Sequence, residues 1–354
     1  MQRALDDGWA NPSSVHAPGR QATALLEDAR RDVAAAIGAH PADVVFTSGG
    51  TEAINTAVLG LADARPVSRA VTTAIEHPAV TASVQALAGA DVITLPMQEG
   101  GPPSAEALAT ELDRAPGHAL VALQWVNHEL GTVLPVPEYA AVCRERDAPL
   151  VVDASQALGK VAIDVEALGA DAVAFAAHKI GGPAGAGALW LRREASVSAL
   201  LRGGGQERGR RPGSPDVVAC AGFGGAAHAL DARMADLPRI AALRDRLDEA
   251  LREAGAVVNG AAAERVATVT NTSFRGWTGA VLVAALDVEG LAVSGGAACS
   301  SGVSAGSPVL LAAHPDEPWR ATSSVRWSFG PESTEDEAER ALEMLSRVLS
   351  RPPG

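Results

Sequence analysis

Short, uninterrupted apolar runs recur along the first half of the chain. Between them, apolar residues return every three or four positions. The runs are VVFTS (44–48), AVTTAI (70–75), VITLP (92–96), ALVALQWV (119–126), PLVVD (149–153), AVAFAA (172–177) and GALWLR (187–192). A run that is apolar at nearly every position fits a strand buried on both faces, whereas the periodicity near 51–62, 78–88, 104–114 and 137–147 fits amphipathic helices. Strand and helix in alternation predict an α/β fold: a mostly parallel seven-stranded sheet with helices on both faces.

The pattern changes further on. Residues 216–254 form a long helical tract rich in Ala, Arg and Leu, followed by a strand candidate, ATVTNTSF (267–274), a helix candidate, GAVLVAAL (279–286), another short strand and a closing helix after Ser333. This is the alternation of a smaller α+β domain. The expected division is a large domain over 15–235 and a small domain over 236–354 that includes 1–14.

Composition narrows the function classes. With 354 residues, 47 % hydrophobic and 20 % charged, the chain is an ordinary globular protein and not a disordered one. A formal net charge of -13 argues against a broad nucleic-acid or anionic-membrane surface, with Arg208, Arg210 and Arg211 as a local exception. No stretch has the length and apolarity of a membrane span, and the opening MQRALDDGWANPSS lacks the apolar core of a signal peptide, so the expected location is cytoplasmic. Cys143, Cys220 and Cys299 are widely separated and odd in number. They give neither a disulfide framework nor the spacing of a metal centre, and no metal is expected.

Ligands of open α/β sheets bind beyond the carboxyl ends of the strands, and in this chain those positions carry chemistry. TSGGTEAINTAVLG (47–60) places Gly49, Gly50 and Thr51 at the start of a helix, where backbone N–H groups and the Thr51 hydroxyl suit a phosphate; a plain Thr cap fits equally. Asp153 ends a buried strand, with Gln156 three residues on, and a carboxylate there needs either a cationic partner or a helix to cap. His77 follows another strand, as a ring to stack or a proton shuttle, or as an ordinary loop residue. In FAAHKIGGPAGAGALWL (175–191), His178 precedes Lys179, one of only two lysines in the chain. A primary amine kept among so many arginines suggests chemistry closed to a guanidinium, such as a Schiff base. Cys299 lies among small residues in SGGAACSSG, either an inert buried thiol or an exposed nucleophile. Arg326, in SSVRWSFG, has a fork suited to a carboxylate or to a structural ion pair.

Together these residues describe a site for pyridoxal 5′-phosphate, and the chain resembles the cysteine desulfurases of the class V aminotransferase superfamily. The likeness runs through NPSSVHAPGR (11–20), TSGGTEAINTAVLG, EHPAV (76–80), VNHELGTVLPV (126–136), VDASQALGKV (152–161), AHKIGGPAGAGALW (177–190), GGGQERGRRPGS (203–214), SGGAACSSG (294–302) and SSVRWSFG (323–330). It implies the fold of type I pyridoxal phosphate enzymes and conversion of L-cysteine to L-alanine. By the resemblance, Lys179 would carry the cofactor, and Gly50, Thr51 and His178 would contact its phosphate. Asp153 would pair with its ring nitrogen, Gln156 and His128 would lie near its ring hydroxyl, and His77 would stack on the ring. Ser214 would reach the phosphate of a neighbouring subunit in a homodimer. Arg326 would hold the substrate carboxylate, and Cys299 would take the sulfur as a persulfide and pass it to an acceptor protein, for example in iron–sulfur assembly.

Three departures from the family pattern carry expectations of their own. The chain opens at MQRALDDG, which resembles the end of the family's first helix, so a start further upstream is expected, the alternative being a chain that lacks a segment lining the active site. His128 stands where Asn is usual, and Gln206 where His is frequent. Ala176 replaces a phosphate-contacting Ser or Thr, a loss of about 1.5–3 kcal/mol if nothing replaces it, so weaker cofactor binding is expected. Rival readings are a related lyase or aminotransferase, such as a selenocysteine or carbon–sulfur lyase, that does not depend on Cys299, and a non-catalytic paralogue that only binds partners.

Overall fold

A computed structural model describes residues 1–98, 101–114, 116, 118–295 and 306–351. The seven apolar runs form β1 (Val44–Thr47), β2 (Arg69–Thr73), β3 (Asp91–Leu95), β4 (Ala119–Gln124), β5 (Leu150–Asp153), β6 (Ala172–Ala176) and β7 (Gly187–Leu191). They make one sheet in the order β1-β7-β6-β5-β4-β2-β3, parallel from β6 to β3, with β7 antiparallel to both of its neighbours. Every residue of β1, β4, β5, β6 and β7 is buried, which is why these strands read as unbroken apolar runs.

Helices α1 (Gln2–Asp7), α2 (Ala17–Ala36), α3 (Gly50–Ala64), α4 (Pro78–Gln85), α5 (Ala105–Asp113), α6 (Val136–Glu145) and α7 (Val165–Leu168) accompany this sheet. Two apolar clusters, one on each side of it, form the core: Val45, Ile54, Val58 and Leu120 belong to one, Phe46, Val121, Phe175 and Trp190 to the other. Helix α1 packs through Ala4 on Ala22, Leu25 and Val217.

The tract 216–254 divides into α8 (Val217–His228), α9 (Leu230–Ala235) and α10 (Leu237–Glu253). Ala229 and Asp236 are the single-residue joints between them, and Pro238 takes a first-turn position of α10, where its missing N–H needs no partner. Strands β8 (Ala256–Asn259), β9 (Val269–Phe274), β10 (Ser294–Gly295) and β11 (Ser324–Ser328) form a second, antiparallel sheet in the order β10-β11-β9-β8. It is covered by α10, α11 (Gly279–Val288) and α14 (Glu335–Leu349); the short α12 (Pro308–Ala313) and α13 (Trp319–Thr322) lie between β10 and β11 in the chain. Among the described residues, no helix is long and apolar enough to cross a membrane.

Candidate active site

The carboxyl ends of β2, β4, β5 and β6 open onto a cavity of about 300 Å3, lined by Gly50, Thr51, His77, His128, Asp153, Gln156, His178, Lys179 and Arg326 among others. Thus nine of the residues singled out from the sequence converge, although they span 277 positions (50 to 326). A wider cavity of about 450 Å3 adjoins it and shares His128, Gln156, Lys179 and Arg326.

At the phosphate-like end, Gly49 turns the chain from β1 into α3 with φ 157° and ψ 176°, a conformation that a side chain disfavours. A Cβ on the next residue, Gly50, would fall 2.6 Å from Ser155 Oγ and 3.4 Å from the Ala176 methyl. Gly50 and Thr51, which line the cavity, stand at the start of a fifteen-residue helix, where the dipole and the free N–H groups of a first turn favour an anion. Ser155 and Ala176 both border Gly50 and line the cavity, so a hydroxyl stands on the same stretch of wall as the Ala176 methyl. Ser155 lies inside the VDASQ motif, but nothing in that motif marks it as a lining residue; only the fold does.

Asp153 ends β5, is 7 % exposed, and accepts the Ser155 N–H at Oδ1 (2.9 Å). Burial raises its pKa, and Ser155, His77 and Lys179 counter the rise. His77 caps α4 by accepting the Ala79 N–H at Nδ1 (3.1 Å), so its neutral ring carries the proton at Nε2. Burial lowers its pKa; Asp153 opposes and Lys179 adds to that shift. Beneath it, the fully buried Glu76 pairs with Thr73 Oγ1 and accepts the Gln124 N–H (2.7 Å). Burial pushes its carboxyl up to about 8.

His128 meets His77 edge-on, with ring centroids 5.4 Å apart. Burial, then His77, Arg326 and Lys179, push its pKa down to about 3, so the ring is neutral at ordinary pH. Lys179 stands in the short turn Ala177–Ile180 that follows β6. Arg326, on β11, donates from Nη1 to the His128 carbonyl (2.8 Å) and from Nη2 to Ser294 Oγ (3.4 Å). Glu129 accepts from Ser307 Oγ (2.6 Å), and Asn271 Nδ2 donates to the Glu129 carbonyl (3.3 Å), so the 127–131 turn is tied both to the start of α12 and to β9 of the second sheet.

These residues fit pyridoxal 5′-phosphate. Two buried polar atoms of cavity-lining residues, His128 Nδ1 and Arg326 Nε, find no hydrogen-bond partner among the described residues, and the Gly50 cradle leaves an anion its place. The donor set supplies backbone amides for a phosphate, a carboxylate for a ring nitrogen and an amine for a carbonyl carbon. Ser214 is exposed and lines neither cavity, and Gln206 accepts the Gly213 N–H (3.0 Å) within the same loop. Cys299 lies outside the described residues. Cys143 and Cys220 are buried free thiols, pushed up to about 12 mainly by burial, and neither lines the site.

An open α/β sheet with an amine, a carboxylate and an anion cradle at its carboxyl edge defines the fold type I class of pyridoxal phosphate enzymes. The model of the aminotransferase class-V family matches residues 1–341, and the chain belongs to that family, whose cofactor is pyridoxal 5′-phosphate. It is 42 % identical over 353 residues to an IscS-like cysteine desulfurase of Mycobacterium tuberculosis, covering 96 % of this chain and 90 % of that protein. Among solved structures, a NifS-like protein superposes with a TM-score of 0.91 at 29 % identity, over 99 % of this chain and 94 % of the other. A structure described as SspA in complex with cysteine superposes with a TM-score of 0.80 at 29 % identity, over 94 % of each chain.

Proposed function

We propose that this chain is a pyridoxal phosphate-dependent cysteine desulfurase that converts L-cysteine to L-alanine and holds the sulfur as a persulfide on Cys299. The observation that carries this reading is the convergence of Gly50, Thr51, His77, Asp153, Gln156, His178 and Lys179 on one cavity, with Arg326 entering it from the second sheet.

Bound there, the cofactor supplies an electron-poor ring that accepts charge from the substrate carbon. Lys179 Nζ would be the amine that holds it, and when free would move protons at the substrate carbons. Asp153, buried and anchored by the Ser155 N–H, would hold the proton on the ring nitrogen. His77, its Nε2–H fixed by the bond at Nδ1, would contact the ring. The neutral His128 would donate toward the ring oxygen, and Gly50, Thr51 and His178 would hold the phosphate. Arg326 holds the substrate carboxylate. The Cys299 thiolate attacks the substrate sulfur: an S–S bond forms as the Cβ–S bond breaks, the electron pair stays on carbon, and a proton completes the methyl group of alanine.

We further propose a cytoplasmic homodimer in which Ser214 serves the neighbouring subunit's phosphate, and a sulfur-acceptor protein, as in iron–sulfur assembly, that discharges Cys299. The exposure of Ser214, and its absence from the lining of its own cavity, support that arrangement.

The test is an absorbance titration with pyridoxal phosphate, followed by turnover of L-cysteine under a reductant. A visible band that Lys179→Ala abolishes, with alanine and sulfide formed in equal amounts and sulfide lost in Cys299→Ser, is expected. Full sulfide production by Cys299→Ser would favour a carbon–sulfur lyase, and no band at saturating cofactor would overturn the reading.

A further inference from the structure

The chain has two lysines among its 29 lysines and arginines, and the second, Lys160, lies in the wall of the wider cavity beside Lys179, Arg233, Arg326 and Glu332. Its ammonium donates to Gln156 Oε1, one helical turn back in the 154–160 segment that follows β5. Gln156 lines both cavities, whereas Lys160 lines only the wider one.

An amide presents an acceptor at one end and a donor at the other, and the two ends have nearly the same shape. An ammonium carries three donors and no acceptor, so the amide atom that meets it is the oxygen. With Oε1 committed to Lys160, the group left for the inner cavity is the NH2. We infer that Lys160 is a positioning residue for cofactor binding: its bond to Gln156 fixes the amide so that a donor, and not a carbonyl, faces the ring oxygen of the bound cofactor. This rests on the pyridoxal phosphate reading above.

The reversed amide would set two oxygens against each other and lose a donor to a charged acceptor. A lysine suits the task better than an arginine because its compact head turns its donors freely, whereas a guanidinium would spread a planar fork across the cavity floor. The charge is held at a disadvantage: burial, then Lys179 and Arg326, bring the Lys160 pKa down to about 8.

The test is a double-mutant cycle read by cofactor dissociation constant and by the position of the bound cofactor's absorption band. Lys160→Met keeps length and apolar contacts but donates nothing. It is expected to weaken pyridoxal phosphate binding about tenfold and to shift the band, as the loss of one hydrogen bond to a charged acceptor predicts. In a Gln156→Ala background the same substitution is expected to change binding less than about twofold, because Lys160 then has no amide to orient. Gln156→Glu serves as a second variant if Lys160→Met does not fold: its carboxylate retains the ammonium but has no donor for the cofactor, and it should shift the band as Lys160→Met does. A wild-type band with an unshifted, fully bound Lys160→Met would overturn this inference alone. So would a Lys160→Met effect undiminished in Gln156→Ala, or an unshifted Gln156→Glu. Absence of any wild-type band would overturn the cofactor reading and this inference with it.

Discussion

Glu76 shows how one residue ties the site to stability. Its carboxyl is fully buried between Thr73 Oγ1 and the Gln124 N–H, and burial lifts its pKa from an ordinary 4.5 to about 8. A group whose folded pKa is raised contributes stability that is fully present below its unfolded pKa and is lost as pH rises through the folded value. Between about pH 4.5 and 8 the folded chain therefore holds a proton that the unfolded chain has released, and stability falls with rising pH. Glu76→Gln is neutral and nearly isosteric; its amide can donate to Thr73 and accept from Gln124. Melting temperatures measured from about pH 5 to 8.5 should show a slope reduced by an amount worth more than about 1 kcal/mol over the window. Some slope remains, because burial raises Glu129 to about 7, against its bonds with Ser307 and the charge of Arg326. An unchanged slope in Glu76→Gln would mean that Glu76 stays ionised in its niche.

Elements differ in how plainly they could be read. Five of the seven strands of the large sheet were legible because burial on both faces leaves a run with almost no polar interruption, whereas the edge strand β3, with only Leu95 buried, was legible from its apolar composition alone. Helix α2 drew no attention, although it contributes Leu26, Ala29, Val33 and Ala34 to the core: alanines form much of its buried face and give little contrast with its polar side. The breaks at Ala229 and Asp236 were hidden because the joints lie within one helix-favouring composition. Candidate site residues at strand ends were legible from strand position, whereas Lys160 joins them through a bond to Gln156 four residues back that a local turn closes, and Ser155 only through its place on the cavity wall. The fold alone likewise explains Gly187, a glycine in a strand with no local reason to be one. A Cβ there would lie 2.5 Å and 2.6 Å from the Gly49 backbone and 2.8 Å from the Phe175 carbonyl, all rigid atoms. Gly187→Ala is expected to cost about 1–3 kcal/mol in denaturant titration and to weaken pyridoxal phosphate binding, because relief must come from moving the Gly49–Gly50–Thr51 cradle. Loss of stability with cofactor affinity intact would show that β7 yields and the cradle does not.

Across the whole molecule, the two sheets divide the work. The large sheet supplies Lys179, Asp153, His77, Gln156 and the anion cradle, whereas the second sheet contributes Arg326 from β11, joined to the first through the His128 carbonyl. If cofactor binding belongs to one sheet and substrate recognition to the other, a change at Arg326 should separate them. Arg326→Lys keeps the charge and loses the fork: one ammonium cannot serve the His128 carbonyl, Ser294 and a bidentate carboxylate in the same plane. The expected outcome is a KM for L-cysteine raised at least about tenfold, with the pyridoxal phosphate dissociation constant within about twofold of the wild type. A parallel collapse of cofactor affinity would instead assign Arg326 to holding the 127–131 turn in place. In that case the carboxylate of the substrate would have to be met by another cation of the wider cavity, whose wall carries Lys160, already engaged with Gln156, and Arg233.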